Sequence, residues 1–299
     1  MTEILLIASY PKSGNTWVRA LVQALSQPEC DAVDINTLDT VGRWASDRNL
    51  FEQTHGLDPD GLTMDEILAL RPGVYRRIAA ATQPPRVYMK AHDANIPTGP
   101  GAGRLFPHDL PVRIVHVVRH PYDLAASLAH HGRTDLPTAI AVMADENAME
   151  GSYRPEHVQR GFRNFSQLPQ HMGSWSGHAA SFLDHPPGPT LLLRYEDLLA
   201  EPVAQVGRLA RFLDLPDAEP GLRAAVEATR FERLAQQEAE AGFVERPVGV
   251  ERFFRAGKAG AGTRELTAMQ KRSIYGRHGD EMRRLGYAET GCARAAEPE

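Results

Sequence analysis

SYPKSGNT, residues Ser9–Thr16, decides how this chain is read. It lies between an apolar run, ILLIAS (4–9), and an apolar, helix-like stretch, NTWVRALVQALS (15–26). A continuous apolar run ended by a loop reads as a buried strand, and Trp17, Leu21 and Leu25 fall at helical spacing. Strand, glycine-bearing loop, helix is the context of a phosphate-binding turn. A helix start offers unpaired N–H groups and the positive end of its dipole. Gly14 lets the backbone approach closely, and Thr16 can add a hydroxyl.

The triphosphate version of such a loop reads glycine, four residues, then Gly-Lys-Ser/Thr. Setting Gly14 on the second glycine puts Ser9 at the first, Asn15 at the lysine and Thr16 at the Ser/Thr. The lysine is instead Lys12, inside the loop. In kinases and ATPases the lysine and a metal neutralise the terminal phosphates. A cation at position 12 lies further round, beyond the bound phosphate. That place suits charge appearing on a leaving group and suits a triphosphate less well. The bland alternative, a Ser-Gly turn with a surface lysine, is disfavoured by the strand–loop–helix context.

With 299 residues, 42% hydrophobic and 24% charged, the chain can bury a sizeable core. A net charge of −5 argues against general nucleic-acid or anionic-membrane binding, so an anion site must be a local cluster of Lys and Arg. The two cysteines, Cys30 and Cys292, form no CxxC pair, which disfavours a disulfide framework or a cysteine zinc site and fits a reducing cytoplasm. No leader is expected, since ILLIA is short and lacks a basic start. Nor does any apolar run approach the roughly 20 residues of a membrane span.

Further strands are expected at RVYMKAH (86–92), VRIVHVVR (112–119) and TLLLRYEDL (190–198). Helices are expected around them, including MDEILAL, interrupted or ended at Arg71-Pro72. Residues 29–62 are polar and poorly periodic, 93–103 is loop and open to motion, and 243–266 is Gly-rich and basic. Strands alternating with helices indicate an α/β fold with a parallel sheet. One domain is expected over 1–290, with a frayed tail at 291–299.

YPKSGNTW closely resembles the 5′-phosphosulfate loop of sulfotransferases that use 3′-phosphoadenosine 5′-phosphosulfate (PAPS). That loop usually reads YPKSGTTW, so Asn15 is the one departure. The resemblance implies sulfuryl transfer to a hydroxyl or amine, without a required metal. It implies a single-domain, three-layer, P-loop-like fold with a central, mainly parallel sheet flanked by helices. Lys12, Ser13, Gly14, Asn15, Thr16 and Trp17 are then cofactor contacts, with Trp17 stacking on adenine.

The same resemblance extends down the chain. In VVRHPYDLAASLAHH, Arg119 and Ser127 have the spacing of the family's 3′-phosphate pair, and a planar guanidinium suits phosphate. The alternative pairs Arg119 with a carboxylate such as Asp123. FFRAGKAGAGTREL (253–266) resembles the family's RKGxxGxW stretch, which implies that Arg255 and Gly257 contact the 3′-phosphate. Ala256 replaces the usual lysine. Tyr195, in RYEDL, and Thr229 and Phe231, in ATRF, match positions that the family places at the base.

A hydroxyl attacking sulfur needs a proton acceptor within hydrogen-bond reach. Lys90 and His92 stand two apart at a strand end, so alternation puts them on one face. The family uses such a Lys-x-His pair, with histidine as base and lysine on the sulfonate. Asp93 is the rival base. Catalytic roles therefore fall to His92, Lys12 and Lys90, and no metal ligand is assigned. A P-loop kinase using ATP is the rival enzyme, disfavoured by Asn15 and by Arg119 where an acidic residue would hold magnesium. A non-catalytic nucleotide-binding protein is the third reading. The expected partner is a small-molecule acceptor, and an Arg- and Ala-rich chain suggests a GC-rich bacterial genome, so that a product of secondary metabolism, a glycolipid or a phenol all fit and the composition does not choose among them. Trp44, Phe51, Tyr75 and Phe106 either line an apolar acceptor pocket or pack a core. The oligomeric state stays open, a homodimer included.

Overall fold

The computed structural model describes residues 1–27, 33–41, 43–44, 46–81, 83–101, 103–150, 167–289 and 291–294. Its strands are β1 (Glu3–Ser9), β2 (Arg43–Trp44), β3 (Arg86–Ala91), β4 (Val112–Val118), a short pair β5 (Met149–Glu150) and β6 (Gln170–His171), then β7 (Thr190–Arg194). Five of them form the central sheet in the order β2-β3-β1-β4-β7, and every pairing in it is parallel. The α/β expectation with a parallel sheet holds.

Parallel sheets are covered on both faces, which is why β1 is a continuous apolar run rather than an alternating one. Its alternate residues serve different layers. Leu5 and Ile7 pack with Val115 and Val117 against Val18, Leu21, Val22 and Leu25 of helix α1 (Asn15–Ser26). Ile4, Leu6 and Ala8 pack with Met89, Ala91 and Ile114 in a second core on the other face. Each fully buried side chain of this size contributes about 1.5–3 kcal/mol.

Two expectations about segments change. Arg71-Pro72 does not end a helix, because α3 runs unbroken from Met64 to Ala80. A Thr63–Glu66 capping box starts it, and buried residues on both sides of Pro72 (Ile67 and Leu68 before, Val74, Tyr75 and Ala79 after) tie it to the core. Tertiary burial thus outweighs the lost amide. Likewise TLLLRYEDL is strand only to Arg194, and Tyr195–Ala200 is helix.

The poorly periodic 29–62 region contains the edge strand β2 and helix α2 (Arg48–His55), whose N-cap Asp47 accepts from the Leu50 N–H at 3.0 Å. The loop after β3 is less open than expected, since Asp93, Ala94 and Asn95 are all buried. Of the two alternatives for the aromatic residues, Phe51, Tyr75 and Phe106 take the second and pack the core. At the C-terminus, β8 (Tyr287–Ala288) pairs with β9 (Gly291–Arg294), so the frayed tail does not begin at 291. Residues 295–299 lie outside the described residues. Among the described residues no helix is long and apolar enough to cross a membrane.

One buried ion pair locks α3 to the end of β3. Arg71 donates to both carboxylate oxygens of Asp93, at 2.8 and 2.6 Å. The side chains are 1% and 0% exposed, and Asp93 also accepts the His171 N–H at 2.8 Å. Removing one partner strands a buried charge. Asp93→Ala is therefore expected to lose about 3–5 kcal/mol of unfolding free energy in a denaturant melt. A melt matching the unsubstituted protein would contradict this assignment.

Candidate active site

β1, β3, β4 and β7 all end on one edge of the sheet, where an open α/β fold binds its ligand. The segments that follow them deliver Lys12, His92, Arg119 and Tyr195 to one cavity of about 720 Å³. Lys90, Ser127, Thr229, Phe231, Arg255 and Gly257 also line it. The geometry thus gathers residues from four distant parts of the sequence.

The loop after β1 is set by two left-handed residues, Lys12 (φ 69°) and Gly14 (φ 112°). A Cβ at Gly14 would lie 2.9 Å from the Tyr195 ring, so both conformation and space demand glycine. Gly14, Thr16 and Trp17 line the cavity, whereas Ser13 is fully buried and lies off its wall. Asn15 lines it too, yet its side-chain amide turns inward, donating to the Ile7 carbonyl at 3.0 Å and to Ser9 Oγ at 3.2 Å. Asn15 thereby ties the start of α1 to the end of β1. Lys12 Nζ lies 3.6 Å from the Phe253 ring centroid and 3.4 Å from His131 Nδ1. Burial, with Arg119 nearby, pulls the Lys12 pKa down to about 7.

Arg119 donates to the Lys12 carbonyl at 3.1 Å and lies 4.3 Å from the Tyr195 ring centroid. Ser127 reaches the cavity from helix α4 (Pro121–Gly132). Asp123, weighed as the partner of Arg119, instead accepts the backbone N–H groups of Gly260 and Gly262, each at 2.7 Å. It holds the Gly-rich segment against α4, where a Cβ on Gly262 would meet the Tyr122 carbonyl at 2.0 Å. Gly257 (φ 60°) has the same constraint, since a Cβ there would lie 2.2 Å from Phe231. Arg255 is engaged by Glu265 through two bonds, at 3.1 and 2.6 Å.

A flat apolar region stands beside the loop. Trp17 and Tyr195 meet edge to face at 5.5 Å. The Thr229 hydroxyl donates to the Ala225 carbonyl at 2.8 Å.

At the opposite end His92 Nδ1 lies 2.8 Å from the Ser9 carbonyl. A carbonyl only accepts, so Nδ1 carries the proton and Nε2 is left with its lone pair. Burial, then Lys90, pushes the His92 pKa down to about 3, so the ring is neutral at ordinary pH. Its backbone N–H is held by Gln170 at 2.8 Å. Lys90 Nζ donates to Glu245 at 2.9 Å and sits 3.3 Å from the Trp44 ring centroid. Burial brings its pKa to about 7 despite Glu245. Asp93 is absent from the cavity wall, bound to Arg71 on the other side of the chain. Among the described residues no group of three or more His, Cys, Asp or Glu could hold a metal ion.

Sequence reasoning passed over Glu245, Arg19, His131 and Glu150. Arg19 stands one turn beyond Asn15 on α1, so a helical wheel anchored at the loop finds it. Glu245 and Glu150 lie in stretches with no local signal. Of the four aromatic acceptor candidates only Trp44 lines the cavity.

A family model described as a sulfotransferase domain matches residues 3–286. Cytosolic sulfotransferase 8 of Arabidopsis thaliana is 26% identical over 264 residues, covering 86% of this chain and 70% of that protein. Cytosolic sulfotransferase 10 of the same plant is 28% identical over 222 residues, covering 72% and 57%. Among solved structures, a mouse sulfotransferase complexed with PAP has a TM-score of 0.57 at 16% identity, covering 94% of this chain and 84% of that one. Retinol dehydratase in a complex with retinol and PAP has a TM-score of 0.56 at 20% identity, covering 93% and 81%. These structures share the fold. With a family model spanning nearly its whole length, the chain belongs to the sulfotransferase family.

Proposed function

We propose that this chain transfers a sulfuryl group from PAPS to a hydroxyl, or an amine, of a small-molecule acceptor, releasing adenosine 3′,5′-bisphosphate (PAP). One observation carries the assignment of the base. His92 donates Nδ1–H to Ser9 and presents a neutral Nε2 in the cavity that also holds Lys12 and Lys90.

In the proposed step the acceptor O–H gives its proton to His92 Nε2 as the new O–S bond forms. The bond between sulfur and the 5′-phosphate oxygen breaks, and its electron pair stays on that phosphate. Lys12 meets this charge, and Lys90 meets the sulfuryl oxygens. The start of α1 holds the 5′-phosphate through Gly14, Thr16 and its N–H groups. Arg119, Ser127, Arg255 and Gly257 take the 3′-phosphate. Trp17, Tyr195, Thr229 and Phe231 surround adenine.

The acceptor end is partly polar. Trp44, His131, Glu150 and Gln167 share the wall with His92, which supports an acceptor with hydrogen-bonding groups and one flat face. A reducing cytoplasm fits a chain with two cysteines. The kinase reading needs a lysine where Asn15 stands with its amide bonded to β1. It also needs an acid where β4 is followed by Arg119. The non-catalytic reading leaves Lys12, Lys90 and His92 gathered on one cavity without a reason.

PAP is expected to raise the melting temperature more than Mg-ATP does, and the reverse order would favour the kinase. His92→Ala should lower kcat by about 10²–10⁴-fold while PAP binding stays intact. Near-normal turnover would remove His92 from the reaction.

Charge on Lys12 and Lys90 is half lost near pH 7 and full only well below it, because both pKa values are depressed to that region. In consequence kcat/KM for PAPS is expected to hold level well below that pH and to decline through and above it. A flat profile to pH 9 would contradict the assignment.

Glu265 competes with the 3′-phosphate for Arg255. The pair is partly exposed, so its strength is of the order of 0.2–1 kcal/mol, and Glu265→Gln should tighten PAP binding by about 1.5- to 5-fold. Weaker binding, read by calorimetry, would show that Glu265 instead presents Arg255 to the ligand.

A further inference from the structure

Glu245 is the acid that the sulfuryl-transfer scheme does not use. Its Oε2 accepts from Lys90 Nζ at 2.9 Å and its Oε1 from Arg19 Nη1 at 2.8 Å. Arg19 is 1% exposed, Lys90 3%. Three chain segments meet here: α1, which begins at the phosphate loop, β3, which leads to His92, and the segment after helix Phe231–Ala241. That last segment is anchored independently of the carboxylate. Asn36 accepts the Val244 N–H at 2.9 Å and donates to the Gly242 carbonyl at 3.1 Å.

We infer that Glu245 is a positioning residue for Lys90, keeping its ammonium charged and aimed at the sulfuryl oxygens. The inference rests on the proposed sulfuryl transfer and adds a residue to it. An ammonium has three N–H donors. Glu245 takes one, and the Trp44 face closes another side at 3.3 Å. Donor capacity toward the cavity remains.

Two cations share one carboxylate, so the cluster stays net positive and attractive to an anionic group. Without Glu245 the same space holds two buried cations, and among the described residues no other carboxylate forms an ion pair with either. Among the described residues, the charged and titratable groups acting on Lys90 are Glu245, Arg19 on α1, His92 beyond β3, His131 on α4 and Glu150 on β5. Arg19 and burial push toward the neutral amine, and Glu245 makes the closest opposing contact. Burial already sets the Lys90 pKa at about 7, so loss of this partner leaves an uncharged amine at neutral pH.

The test labels lysines with acetic anhydride over a pH series and follows Lys90 by mass spectrometry. In Glu245→Gln the Lys90 midpoint is expected to fall by about 1–3 pH units. Glu245→Gln combined with Arg19→Met removes the second buried cation as well, which protects folding, and its midpoint should also lie below that of the unsubstituted protein. At pH 7, kcat for sulfuryl transfer should drop by about 10²-fold, the lower figure for loss of one oxyanion donor, with PAP affinity kept within about 2-fold. In a Lys90→Met background Glu245→Gln should change kcat little.

An unmoved Lys90 midpoint in both variants, or an equal kcat loss in the Lys90→Met background, overturns the inference. The labelling needs no sulfuryl donor. A shifted midpoint in a chain that transfers no sulfuryl group would overturn the functional reading and leave the control of Lys90 standing.

Discussion

Positive charge confined in a partly dry cavity is the constraint on which this structure turns. Lys12, Lys90 and Arg119 line one space, with Arg19 reaching it through Glu245. Taking ammonium groups out of water favours their neutral form, and both lysines are pulled to about 7. Among the described residues the acids lining the same space are Glu245 and Glu150, fewer than the cations. In the proposed function a nucleotide bearing a sulfate and phosphates supplies the missing negative charge. Binding such a ligand and charging the lysines are therefore coupled.

The parallel sheet makes that concentration of charge affordable by placing it at strand ends, outside the apolar layers. Alternation along the chain then sorts neighbours by function. His92 and Asp93 are adjacent, yet one faces the cavity and the other pairs with Arg71 beneath it. Of two residues able to take a proton, one is committed to holding α3 and the other keeps a free lone pair. The loop after β1 is similarly divided. Gly14 yields space to Tyr195 while Asn15 anchors the turn to β1, so the family's departure at that position has a structural use.

Carboxylates engage two of the cationic groups on the cavity wall. Glu245 holds Lys90, and Glu265 holds Arg255. The two pairs differ in depth. The first is buried and joined to Arg19, and its inferred role is to tune and orient Lys90. The second is partly exposed and stands where the Gly-rich segment lacks the usual lysine at Ala256, and in the proposed function it competes with the ligand. Burial decides the role, because screening weakens an exposed pair and leaves a buried one strong.

How much of this was legible in the amino-acid order follows from the range of each interaction. The turn at Ser9–Thr16, the Lys90/His92 pair and Arg119 with Ser127 are spelled by neighbours a few residues apart, and strands or helices carry them to their places by period alone. Pro72 misled because a local rule about prolines met a helix pinned on both sides by the core. Which of Asp93 and His92 is taken up by an ion pair could not be read locally, since the partner is Arg71. Glu245 was invisible, being 155 residues from Lys90 and 226 from Arg19. Short-range pattern specifies which elements form and which residues stand at their ends. Which charges finally face one another is settled only when distant segments pack, because an ion pair depends on separation in space and on the water excluded around it.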